Sequence, residues 1–212
     1  LGLANTTVIL AMTHTTVANA LFTLSACPLI TAVLARIFLG EIISRITLVA
    51  IVIAMAGISI MVADGLGSGS PIGNFIALSC AIFFSLFVIC LRYGKERNML
   101  PASAVGGLVG MIIGLIGAKF DVRFSVLDFT ICLFWGGVIV TTVHFLFVVG
   151  SRYVSSAEIM LLTLIEFTLG PVWVWWVYGE KPTSIALMGG LLVLAAVTGR
   201  SILLMTTGAL KK

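Results

Sequence analysis

The chain has 212 residues, of which 60% are hydrophobic and only 9% charged, with a formal net charge of +4 and a mean hydropathy of +1.24. A soluble domain carries roughly 25% charged residues, so water is excluded as the main solvent. The net charge is also too small and too scattered for a nucleic-acid face; basic residues flanking membrane spans account for it, and the partner it implies is a lipid bilayer.

Eight apolar segments follow one another, at about 1–13, 17–39, 46–63, 72–91, 101–118, 127–149, 155–178 and 184–205. The first is too short to cross a bilayer and reads as the end of a cut helix. Together with a start at Leu1 rather than methionine, this points to an N-terminal truncation. The others are near the roughly 20 residues needed to cross about 30 Å of hydrocarbon as a helix. Apolar runs this long leave no alternation for a barrel strand, so the expected fold is all-α, a polytopic bundle. The linker Asp64 to Pro71 (DGLGSGSP) is the flexible connector, and it separates two pseudo-repeats rather than two soluble domains.

The segment 17–39 ends as LARIFLGE, and 155–178 ends as WVWWVYGE. Each then makes a short polar turn and begins another apolar segment. Five spans lie between the two Gly-Glu pairs, Gly40-Glu41 and Gly179-Glu180, and an odd number puts the pairs on opposite membrane faces. That is the pattern of an inverted repeat. Glycine is suited to a left-handed helix cap, and glutamate suits the positive start of the following helix. The pairs therefore read as structural, with gating as the alternative.

Orientation follows from the basic residues. Arg36, Arg45, Arg92, Lys95, Arg97, Arg152, Lys211 and Lys212 fall on one side, against Lys119, Arg123 and Lys181 on the other. The richer side is expected to be cytoplasmic, with the C-terminus. Arg200, inside the last span, is expected to snorkel toward it. The four cysteines, Cys27, Cys80, Cys90 and Cys132, lie in apolar segments without paired spacing and read as reduced packing residues.

Glu166 is the strongest candidate for function. A carboxylate near mid-span costs about 2.5–3.5 kcal/mol or more unless it meets water, a partner or a proton. At 100° per residue it shares a helix face with Leu162, Gly170 and Trp173. An acid, a small residue and an aromatic ring together suit an amine or an amphipathic metabolite; a structural acid bonded to a neighbouring helix is the competing reading. Glu158 and His144, each near the same end of its span, could meet as a proton-relay pair. Alternatively, Glu158 reaches the interface and His144 packs on a carbonyl. Trp175, Trp176 and Tyr178 suit an interfacial belt. Gly106, Gly110, Gly114 and Gly117 form a stripe for close helix approach. No metal-ligand cluster, nucleotide loop or nucleophile setting is visible, so neither a cofactor nor an enzyme is expected.

The run Ala26 to Glu41 (ACPLITAVLARIFLGE) resembles the first repeat of the EamA family of the drug/metabolite transporter superfamily. Leu161 to Thr183, followed by Gly189-Gly190, resembles the second, and Arg152 to Glu158 (RYVSSAE) matches the entry to its ninth helix. The resemblance implies ten helices in two inverted five-helix repeats, moving small organic solutes by alternating access. On that plan 1–64 holds the end of the first repeat, 65–71 the extracytoplasmic linker and 72–212 the second repeat. Phe167 stands where the first repeat has Pro28, with Pro171 one turn later, and both prolines are expected to interrupt their helices near mid-membrane. The resemblance also leaves room for a homodimer, or for N-terminal helices supplied by a full-length chain. A non-transporting partner subunit is the alternative from another class.

Overall fold

In the computed structural model, residues 1–63, 70–119, 125–178 and 183–206 are described. They form α1 (Gly2–His14), α2 (Val17–Leu24), α3 (Cys27–Phe38), α4 (Arg45–Val62), α5 (Pro71–Tyr93) and α6 (Leu100–Gly117). After these come α7 (Val126–Phe134), a π-helical turn (Trp135–Val140), α8 (Thr141–Gly150), α9 (Ser156–Tyr178) and α10 (Ser184–Thr206). Among the described residues, five helical stretches are long and apolar enough to cross a membrane: Asn19–Phe38, Pro71–Tyr93, Leu100–Gly117, Val126–Gly150 and Ser184–Leu203.

Local chemistry fixes where the helices begin. Thr16 and Ser44 accept the backbone N–H of Asn19 and Thr47 at 3.1 Å each, capping α2 and α4. Ser125 and Asp128 form a reciprocal capping box on α7. Pro28, Pro71 and Pro101 occupy first turns, where a missing N–H costs nothing. The span containing Pro28 does break, at Ser25–Ala26, between α2 and α3. The expected break at Pro171 is corrected: the backbone of α9 stays helical through that position. Proline removes only the bond to the carbonyl four residues back, and a helix can absorb that loss as a kink.

The two halves run antiparallel around α4 and α10. The C-terminal half of α4 meets the N-terminal half of α10 so closely that a Cβ on Gly57 would lie 2.8 Å from the Gly189 carbonyl oxygen. At the other end Arg200 of α10 reaches Thr47 of α4. Ile51, Ala54, Ile58, Leu161, Leu164 and Val193 fill the core between α4, α9 and α10. In the same way α1 opposes α5: Thr15 donates to Asn74 at 2.8 Å at one end, and Cys80 donates to the Ala4 carbonyl at 3.3 Å further along. The glycine stripe of α6 is used only in part, with Gly106 and Gly110 facing Gly2 and nothing within 4 Å of a Cβ at Gly114 or Gly117.

The end of α3 meets the start of α9, because the Glu41 carboxylate accepts the Ser156 backbone N–H at 3.1 Å. The helix pair around the first Gly-Glu therefore turns at this end of the bundle. From Ser156, α9 runs 23 residues away, about 34 Å at 1.5 Å per residue. The last residues of α9 and the first of α10 accordingly belong to the opposite end, which is inverted topology seen in the backbone. The end shared by residues 40–44, 94–99 and 151–155 is called the basic end below, and the opposite one the far end.

Candidate functional site

The two faces of α9 differ sharply. Ala157, Met160, Leu161, Leu164 and Thr168 are buried, packed toward α3, α4, α5 and α10. Leu162, Glu166, Leu169, Trp173 and Trp176 form the exposed stripe. Their spacings of four, three, four and three hold them on one side of the helix. The Trp173 and Trp176 rings lie 5.7 Å apart at 48°, a tilted aromatic pair. Among the described residues no side chain or backbone group bonds the Glu166 carboxylate, so the structural-acid reading has no partner here. At Gly170 and Pro171 only the helical backbone is described, and Gly179 and Glu180 lie outside the described residues.

The basic end holds a polar network whose convergence composition did not reveal. One carboxylate oxygen of Glu41 accepts Arg92 Nε at 2.8 Å and the other accepts the Ser156 backbone N–H. Arg92 Nη1 also donates to the carbonyls of Ser151 at 3.3 Å and Arg152 at 2.9 Å. Arg152 Nη2 donates to the Arg97 carbonyl at 3.1 Å. Glu41 thus does not serve the following helix, α4, as expected. Ser44 caps α4, while the charge sits on the N-terminus of α9, where the macrodipole favours it. Gly40 does adopt the left-handed conformation, at φ 66°.

The second ionic contact corrects the snorkelling expected of Arg200. Its side chain is 9% exposed and turned inward, donating through Nε to Thr47 Oγ1 at 3.0 Å and through Nη2 to Glu158. Glu158 also accepts the Ser155 backbone N–H at 3.1 Å. His144 makes a 2.8 Å Nδ1 contact with the Val140 carbonyl oxygen. Glu158 and His144 therefore each bond elsewhere in this structure rather than to one another. Burying a guanidinium inside a span is favourable only with such partners, and Arg200 finds an acid and a hydroxyl one helix away on either side.

Sequence reasoning also missed the π-helical turn at Trp135–Val140, just before His144 in the same span. The Gly136-Gly137 pair was its available signal. Thr141 Oγ1 donates to the Gly136 carbonyl, five residues back, at 3.0 Å. Such turns recur at functional sites because they leave a backbone carbonyl to be satisfied otherwise. Of the cysteines, Cys27 and Cys80 are buried, whereas Cys90 and Cys132 are exposed. Among the described residues, no three His, Cys, Asp or Glu side chains gather as a metal site.

Apolar helices of membrane length, antiparallel halves and a lone acid on an aromatic-lined helix face define a multi-pass helical membrane protein. Residues 71–202 match the EamA-like transporter family, and the chain belongs to it. It is similar to "Uncharacterized transporter YdfC" of Bacillus subtilis (strain 168), at 25% identity over 180 residues, covering 82% of this chain and 58% of that protein. The chain thus spans less than two thirds of that relative's length. A solved crystal structure shares the fold with a TM-score of 0.79 at 14% identity, covering 94% of this chain and 72% of its own.

Proposed function

We propose that the protein is a carrier in the cytoplasmic (inner or plasma) membrane that moves a small organic solute by alternating access. Amino acids, amines and drug-like cations are the solute classes its chemistry suits. The observation carrying this reading is Glu166, exposed and without a bonding partner among the described residues, on one face with the Trp173–Trp176 pair. A carboxylate attracts an ammonium group, and an indole face adds cation–π attraction of about 0.5–2 kcal/mol. Leu162 supplies apolar surface, and Gly170 adds no bulk to the same stripe.

Glu166 is also the first candidate for proton coupling. Glu158 and His144 are secondary, since Arg200 and Val140 already engage them. Residues 1–64 and 72–212 act as two halves joined by 65–71 and rocking about the α4–α10 contact, with the basic end and the C-terminus on the cytoplasmic side. The full-length protein in proteoliposomes, screened for uptake and efflux of a metabolite panel with and without a pH gradient, tests the reading. Solute-specific flux is the expected result, and no flux of any amine, amino acid or amphipathic cation would overturn it.

A second reading, a non-transporting partner subunit, is favoured by one observation: no residue of α6 or α7 is buried as a whole, and most are exposed. Those faces would then cover a second copy or another membrane protein. Purification as a stable complex without flux would favour it.

A further inference from the structure

We propose that Glu41 is the catch of a latch closing the basic end of the bundle, and that it must release Ser156 and Arg92 each time that end opens. The inference rests on the carrier reading and assigns a moving part to it. Glu41 stands in the first half, directly after α3. Everything it grips belongs to the second half: Arg92 at the end of α5 and the Ser156 backbone N–H at the start of α9. Arg92 in turn holds the carbonyls of Ser151 and Arg152, and Arg152 holds that of Arg97. One carboxylate therefore ties together the three segments that meet at this end.

The seat of the latch is fixed. Glu158, in the first turn of α9, is held by Arg200 of α10, which also bonds Thr47 of α4. Helices α4 and α10 are locked by the Gly57–Gly189 contact, where neither backbone can approach further. The first turn of α9 thus belongs to a rigid post, and a gap at this end must open on the Glu41 side. The means to open is present as well. Gly40 is left-handed with nothing within 4 Å of a Cβ position, and residues 40–44 adopt no helix between α3 and α4. The Glu41 N–H donates to the Ala35 carbonyl at 3.2 Å, so Glu41 moves with the capped end of α3, and turning within residues 42–44 carries it off Ser156 without disturbing the post.

The strength of the catch suits repeated use. Both side chains of the Glu41–Arg92 pair are just under one-fifth exposed. The pair is thus neither a solvated surface contact worth little nor a fully buried one too costly to separate. A hydrogen bond between charged groups at such a site biases an equilibrium by about ten-fold.

The experiment uses the full-length protein in membranes, with its native cysteines replaced and S156C introduced as the reporter. The Ser156 side chain is 1% exposed and its hydroxyl has no hydrogen-bond partner, so S156C removes no bond and reacts only when the latch opens. A membrane-impermeant maleimide reads its labelling rate. Adding Glu41→Gln is expected to raise that rate about ten-fold. The far-end reporter A11C, whose parent side chain is fully buried, is expected to stay unchanged. Arg92→Lys keeps the charge but cannot hold Glu41 and two carbonyls together, and should give a similar rise.

Equal labelling with and without Glu41→Gln overturns the latch. So does a parallel rise at A11C, which would mean general loosening. Failure of both Glu41→Gln and Arg92→Lys to assemble also overturns it, because a contact broken in every cycle cannot be what holds the fold together. Labelling reports opening whether or not solute moves. A null there with flux intact sinks the latch alone, whereas absence of flux in the parent protein sinks the carrier.

Discussion

Gly189→Ala tests the packing of the two halves. A Cβ at that position would lie 2.5 Å from the Gly57 carbonyl oxygen, 2.6 Å from the Met61 nitrogen and 2.8 Å from Met61 Cβ. Two of these are backbone atoms and cannot rotate away, so α4 and α10 must move apart by nearly 1 Å to restore ordinary contact. A gap of 0.5–1 Å forfeits about a quarter to a half of each dispersion contact across it. Overpacked cores typically lose about 1–3 kcal/mol. Replacing a helical glycine by alanine returns up to about 1 kcal/mol, leaving a net loss of about 1–2 kcal/mol here. In a chain of this size that lowers the thermal midpoint by about 2–8 °C. Gly114→Ala is the internal control, because nothing lies within 4 Å of its Cβ position; it should be neutral or slightly stabilising. The assay is the fraction of detergent-solubilised protein that stays monodisperse after heating. A Gly189→Ala protein as stable as Gly114→Ala would refute the claim that these glycines set the distance between the halves.

Arg200→Met should destabilise by about 2–4 kcal/mol, since it leaves Glu158 with only the Ser155 N–H; adding Glu158→Gln should recover part of the loss in the same heating assay. Glu166→Gln should assemble with an unchanged thermal midpoint, because the carboxylate supports no contact among the described residues, yet flux should cease to respond to a pH gradient. Full proton coupling in that variant would remove the residue from the coupling step. Trp173→Ala should raise the half-saturating concentration of an amine solute by about ten-fold, with little change in stability, as its ring is more than half exposed. Impermeant amine and thiol reagents should reach Lys119 and a cysteine at Arg97 from opposite compartments; access from one side alone would end the inverted-topology description.

The helices were legible because hydrophobic length is a long-range average that survives local exceptions. The eight apolar segments coincide with α1, α2–α3, α4, α5, α6, α7–α8, α9 and α10 to within about two residues. Gly40 was legible for a similar reason, since its left-handed cap needs only its own backbone. What sequence could not give was convergence. Arg92, Glu41 and Ser156 are far apart along the chain and meet only after three helices have packed. As isolated residues, Arg92 reads as a topology signal and Glu41 as a cap for the nearest helix. Arg200 misled for the same reason: composition describes one helix, whereas its two partners stand on others. Pro171 shows the opposite failure, a strong local signal that the surrounding helix absorbs.

The wide turn at Trp135–Val140 carries one residue more than a regular helix would fit. Side chains beyond it are consequently rotated by about 100° relative to those before it. That phase offset delivers Val148, 1% exposed, into its seat beside Phe87 and Leu91, and Phe147 onto the Phe84 ring. Removing a single amino acid from this stretch would leave that phase unchanged, but winding it as a regular helix at its present length would spin everything beyond it out of register. Those aromatic and aliphatic groups would then point into lipid, although every hydrogen bond along the axis could still be made.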